Sequence, residues 1–317
     1  MKKIILIPLL IFCNYSIAQT NSASVNEIDA SNFLEAYFSP LTKSLESGLT
    51  SGWYNTGKPH KLGGFDITAT INTISVPNEQ LTFDPNSIPN FNSNSSATST
   101  IIGSGNSTDI QYQGNTFSMP SQTSSINKMY IPMMNASIGL AKKTDFGFRY
   151  IPEYTNKYGN SFKGSISLWG ASVKHDLLQW IPFGNSVPAD LSFHIGHTSL
   201  KTNFDVNISD VKQVVDLNIR STSFSLIASK KFLMITAYGS LGYNTSSTIF
   251  NSTTSFQVGT GSNTLDFNVP LDIDFAKNNY LKGNLGIRAK LAFFTLHFER
   301  TFANYPISTL GIGFSFR

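Results

Sequence analysis

The last eleven residues, Ile307 to Arg317, alternate on a two-residue period. Leu310, Ile312, Phe314 and Phe316 fall on one face of an extended strand, and Thr309, Gly311, Gly313 and Ser315 on the other. Large apolar groups backed by small ones suit a strand with lipid on one side and a packed or wet lumen on the other.

Composition extends that reading to the whole chain. Only 13% of residues are charged, about half the share of a soluble domain. No stretch after the first twenty residues approaches the roughly 18 consecutive apolar residues of a membrane helix. Few charges, many aromatics and no hydrophobic block describe a transmembrane barrel, whose apolar residues occupy alternate positions. The rival class is a secreted β-sandwich or solenoid. A net charge of +4 with no basic patch gives no reason to expect a nucleic-acid partner.

The chain opens with an export signal. Lys2 and Lys3 precede the apolar run from Ile4 to Phe12, and Ser16-Ile17-Ala18 has the small-x-small form of a cleavage site. Cleavage is expected after Ala18. The run is too short to span a bilayer. A lipid anchor on Cys13 is the alternative, but Phe12 stands where such signals want a small residue. After cleavage no cysteine remains, which excludes disulfides and thiolate metal sites. The expected location is the outer membrane of a Gram-negative bacterium. The expected boundaries are residues 1–18 for the signal, 19–62 for a helical segment and 63–317 for the barrel.

Residues 27–50 carry the helical periodicity, with Phe33, Leu34, Tyr37, Phe38, Leu41 and Leu45 on one face. Pro40 cannot continue a helix without losing a hydrogen bond, so two short helices are expected. The first is capped near Asp29 or Ser31. The second has Ser39 as its cap and ends near Gly48. Such a segment either plugs the lumen or lies on its rim. Ten strands follow, at about 65–72, 134–140, 146–150, 162–177, 189–203, 213–229, 233–243, 281–291, 294–298 and 307–317. Lys142–Asp145 and Lys230–Lys231 read as short turns, and residues 77–129 and 250–278 as long loops. Long loops on one side and short turns on the other are the pattern of outer-membrane barrels. With an even count both chain ends lie on the short-turn side. The stretch from Gln80 to Asn127 is too polar for a core of its own, and strand extensions within it could raise the count to as many as fourteen. The fold expected is therefore all-β, a single antiparallel transmembrane barrel of ten to fourteen strands with a short N-terminal plug. Trp169, Trp180, Tyr238 and Tyr243 are candidates for the aromatic girdles.

Gly52-Trp53-Tyr54-Asn55-Thr56, with Lys58-Pro59-His60-Lys61-Leu62-Gly63-Gly64-Phe65-Asp66, resembles the opening segment of an uncharacterised family of Gram-negative outer-membrane barrels. The run Lys174-His175-Asp176-Leu177 to Gln179-Trp180-Ile181-Pro182 resembles the same family. More distantly, a helical prelude followed by a barrel is similar to the long-chain fatty-acid transporter type, which implies a plug and a route for hydrophobic solutes. Barrel-assembly signals usually end in an aromatic residue, whereas here Phe316 is followed by Arg317.

Motifs that would carry chemistry are few. No phosphate-binding loop is present, and no metal or cofactor site is expected. His194 and His197 lie on opposite faces of a strand and cannot share a metal. His197 and Ser199 share a face, so an outer-leaflet lipid hydrolase using that pair is one alternative. Lys282, Arg288, Lys290, His297 and Glu299 share the expected inner face of adjacent strands, as a charged constriction or as lumen filling. Phe33, Tyr37, Phe38, Trp53 and Tyr54 are candidates for a plug or gate. The leading expectation is passive passage of small, hydrophobic molecules, and a structural or adhesive surface protein is the other alternative. Expected partners are outer-membrane lipid, a small hydrophobic solute and the barrel-assembly machinery at the C-terminal strand.

Overall fold

Ten consecutive meander strands follow from the alternation. The computed structural model describes residues 21–119, 121, 123–158, 162–208, 211–252, 256–260, 263–267 and 271–316. The export signal, Cys13, Ala18 and Arg317 lie outside them. The strands are β1 (Phe65–Ser75), β2 (Lys128–Leu140), β3 (Thr144–Tyr158), β4 (Phe162–Asp176) and β5 (Asp190–Ile208). Then come β6 (Val211–Phe232), β7 (Ile235–Ser252), β8 (Asn278–Leu291), β9 (Phe294–Phe302) and β10 (Ile307–Phe316). Each pairs antiparallel with its sequence neighbours, and β10 closes on β1 from Ile307↔Ile74 to Phe316↔Phe65. Closure leaves no sheet edge in lipid, where an unpaired backbone group finds no water.

The strand count is ten, the lower end of the expected range. Lys230 and Lys231 are not a turn. They pair with Ala237 and Thr236 inside the ladder, and the reversal falls at Leu233-Met234 with Leu233 at φ +52°. Lysines can stay in a strand there because it is leaving the bilayer. Toward the short turns the large apolar chains of the strands face outward and mostly small or polar ones inward. Trp169 and Tyr243 point out, as expected of girdle residues, and Trp180 is exposed in the connection after β4. Tyr238 does not. It is buried in the lumen over Gly286 of β8, because it shares the inward parity of Thr236 and Ser240.

Residues 27–49 form one helix, α1 (Glu27–Leu49), and not two. Its cap is Asn26, whose side chain accepts the amide of Asp29 at 2.9 Å. Pro40 sits in its middle, and neighbouring hydroxyls use backbone oxygens around it: Thr42 donates to Ser39 O at 3.1 Å and Ser44 to Pro40 O at 2.5 Å. The helix survives because its surroundings hold it. From Pro40 to Leu49 every residue but Lys43 is buried, so this half of the helix is covered on nearly every face by the barrel, while Ile28 and Asn32 nearer its start are exposed.

The direction of α1 corrects a second expectation. Its N-terminal end lies among the long loops, and Asn21–Ser24 pairs in parallel with Asn263–Phe267 of the second long loop. The described part of the chain thus begins at the long-loop end with Asn21 and finishes at the short-turn end with Phe316. The first long loop also has more structure than its polar sequence implies. Phe91–Ser93, Asp109–Tyr112 and Asn115–Ser118 form a small sheet. Its Phe91 and Phe117 close on Phe33 of α1 at ring distances of 5.1 and 5.9 Å. The loop has too few apolar residues for a core alone, and the helix supplies the missing face.

The wall has one seam. The β2–β3 ladder runs from Leu140↔Thr144 to Asn135↔Arg149 and stops, although both strands continue toward the long loops. Continued in register, Pro132 would face Pro152. Neither has an N–H to donate, so the ladder cannot go on there.

Candidate functional site: the filled lumen

The lumen has two tiers. Toward the long loops its wall is apolar, with Ile74, Met129, Ile131, Met133, Leu217 and Phe250 buried beside α1. Toward the short turns it is polar, and the chain that follows α1 winds through it as an irregular segment to the start of β1. A helix satisfies its own backbone and needs only an apolar sleeve. A segment outside regular secondary structure needs donors and acceptors from the wall.

Between the tiers the wall caps the C-terminal carbonyls of α1, which have no intrahelical partners. Arg149 Nη1 donates to Leu49 O at 2.9 Å and its Nη2 to Ser51 O at 3.1 Å. Asn72 Nδ2 donates to Gly48 O at 2.8 Å, Ser221 to Glu46 O at 3.3 Å, and Lys282 Nζ to Thr50 O at 2.6 Å. Two cations at the negative end of the helix dipole are favourably placed. The buried Glu46 carboxylate accepts from Thr248 at 2.6 Å and Asn278 at 2.9 Å. At the other end, Asp29 accepts from Tyr112 at 3.0 Å and from Asn90 at 3.0 and 3.1 Å. Burial first, and the bond to that carboxylate after it, push the Tyr112 phenol above its ordinary value.

Below the helix, Trp53 lies under the Arg149 guanidinium, 3.6 Å from ring centroid to Cζ. A glycine makes this fit: a Cβ on Gly196 would stand 2.8 Å from the indole. Tyr54 Oη meets Ser240 at 2.7 Å, and its ring lies 5.0 Å from that of His194. Ser192 donates to Gly57 O at 2.6 Å, Ser229 accepts from Gly57 N at 3.0 Å, and Lys174 Nζ reaches Thr56 O at 3.3 Å. At the exit, His60 N and Nδ1 meet the two oxygens of Asp145 at 2.7 and 3.0 Å. Lys174 Nζ lies 3.1 Å from the same carboxylate. The two sequence runs that carried the family resemblance thus meet in space, through His60 and Lys174. A cavity of about 30 Å3 remains among Trp53, Thr68, His194 and His297, room for one or two waters.

Lys282, Arg288, His297 and Glu299 are buried inside the wall. Lys290 shares their inward parity but is only part-buried, and its ammonium reaches Ser315 O at 2.8 Å near the end of β10. Phe33, Tyr37 and Phe38 lie in the apolar tier and the loop cap, and Trp53 and Tyr54 in the polar tier. His197 hydrogen-bonds Thr222 at 2.9 Å, and no bond joins it to Ser199 among the described residues. Sequence reasoning missed Arg149 and Asp145. Arg149 alone carries a signal: it is an arginine at an inward position, between the outward Phe148 and Tyr150. Among the described residues no group of three His, Cys, Asp or Glu side chains is placed to hold a metal.

Some solved structures are similar to this chain at low levels. The translocator domain of autotransporter NalP from Neisseria meningitidis matches at 12% identity and a TM-score of 0.40, covering 90% of this chain and 98% of that one. Ail, the attachment invasion locus protein of Yersinia pestis, matches at 9% and 0.22, covering 80% and 98%. The toluene transporter TodX of Pseudomonas putida matches at 8% and 0.19, covering 94% and 98%. No activity transfers at these levels of similarity. No curated protein matches the chain. The barrel, its plug and both sequence runs fall within the span of one family match, over residues 1–316: the chain belongs to the family of unknown function DUF6588.

Proposed function

We propose that this protein is an outer-membrane barrel stoppered by its own N-terminal segment, and that it presents its folded long-loop cap at the cell surface as a structural or interaction protein. The filled lumen carries this reading. The helix is capped by the wall at its inner end and held through Asp29 by Tyr112 and Asn90 at its outer end, and the irregular segment after it is bonded to the wall down to His60. The purified full chain should give no single-channel steps in planar bilayers, and reproducible steps would sink the reading. The orientation has its own check. In a Cys13→Ser background, Ser96→Cys in the cap should react with an impermeant maleimide on intact cells, and Leu233→Cys in a short turn should not.

Passage of small hydrophobic molecules is the second reading, favoured by the seam at Pro132 and Pro152 beside an apolar wall. It requires α1 to shift, since the helix stands behind the seam, with Gly48 against Ile131. Solvent extraction and mass spectrometry of the purified protein would support it with a stoichiometric apolar molecule, and count against it with none. An enzymatic role for His197 and Ser199 requires those side chains to turn toward each other and away from Thr222.

A further inference from the structure

The outward face of β5 and β6 carries a feature that neither the plug nor the cap uses. The ladder places Tyr150, Trp169, Ser199, Arg220 and Ser247 in one row across five strands. Tyr150 and Trp169 are half exposed and mark the aromatic girdle at the long-loop end. Arg220 therefore sits at girdle height. Lys201, opposite Asn218, is one row further out and diagonal to Arg220, and both cations are exposed. Diagonal neighbours on one sheet face are within reach of long side chains. The row below holds His197 and Thr222, hydrogen-bonded to each other at 2.9 Å.

Among the described residues no carboxylate is ion-paired with either cation. Asp216 is on the same face but accepts from Asn203 at 2.6 Å. Asp274 lies beyond β7, opposite Ile249. Neither forms an ion pair with Lys201 or Arg220 among the described residues. Exposed cations at the interface, ringed by the hydroxyls of Ser199, Thr222 and Ser247, match a phosphate at headgroup depth.

We infer that Lys201 and Arg220, with the hydroxyls beside them, bind the phosphate of a net-anionic lipid of the outer leaflet. The lipid chains lie along Phe193, Ile195 and Phe224 below, and the guanidinium and ammonium supply the charge-assisted hydrogen bonds. The inference rests on the long-loop end facing the outer leaflet. The binding itself can be read in micelles, where orientation plays no part, so the two can fail separately.

The test is native mass spectrometry of the full chain in neutral detergent, titrated with phosphatidylglycerol or with phosphatidylcholine of the same acyl chains. Phosphatidylglycerol adducts should fall about tenfold in Lys201→Gln/Arg220→Gln, with phosphatidylcholine adducts unchanged. Lys230→Gln/Lys231→Gln removes the same charge at the other end of β6 and should leave both unchanged. Equal loss in the two double variants would reduce the effect to net charge and overturn the site. An unchanged Lys201→Gln/Arg220→Gln would overturn it as well. Displacement of the lipid by millimolar inorganic phosphate would reassign the site to a soluble anion.

Discussion

The two tiers of the lumen hold the same polypeptide segment by different means. Around α1 the wall is Ile74, Ile131, Leu217 and Phe250, and the contact is shape and burial. Around residues 51–60 it is Ser192, Ser229, Lys174 and Asp145, and the contact is a series of hydrogen bonds to main-chain atoms. The difference follows from backbone chemistry. A helix has spent its donors and acceptors internally, and an irregular segment has not. The barrel wall changes from apolar to polar where the helix ends, and Arg149 stands at that boundary.

The contrast can be broken by mutation. Phe33→Ala in the apolar tier should cost most, about 4 kcal/mol by the usual range for a fully buried aromatic, read as the denaturant midpoint of unfolding in micelles. Arg149→Met at the boundary should follow at about 2 kcal/mol, since it removes the charged donor from both the Leu49 and Ser51 carbonyls and leaves them only Thr198 at 3.3 Å and Asn72 at 3.2 Å. Arg149→Lys should recover only part of that loss, because an ammonium lacks the fork that reaches both oxygens. Ser192→Ala in the polar tier should cost about 1 kcal/mol, the size of one neutral hydrogen bond, as other bonds still hold the segment. If Ser192→Ala matched Phe33→Ala, the two tiers would not differ as described.

Much of the barrel was legible because its signal is local. All ten strands and the inward set Lys282, Arg288, His297 and Glu299 follow from period two. The same rule, applied to Tyr238, would have placed it inside. Less of the site was legible. Nothing near Asp145 in sequence points to His60, 85 positions away, and nothing near Lys174 points to Thr56. The cap was misread because its buried Phe91 and Phe117 close on a helix from another part of the chain. Pro40 was read by its intrinsic cost, which a surrounding sleeve can offset.

By itself, then, the sequence determined a closed antiparallel barrel, its lipid-facing stripe and the existence of an amphipathic prelude, since alternation and helical spacing need no distant partner. Only the tertiary structure decided that the prelude is one helix, that it stands inside the barrel with its N-terminal end among the long loops, and that Arg149 caps it. Those outcomes depend on which wall groups meet unsatisfied backbone atoms, and such meetings exist only once the barrel has closed around the chain.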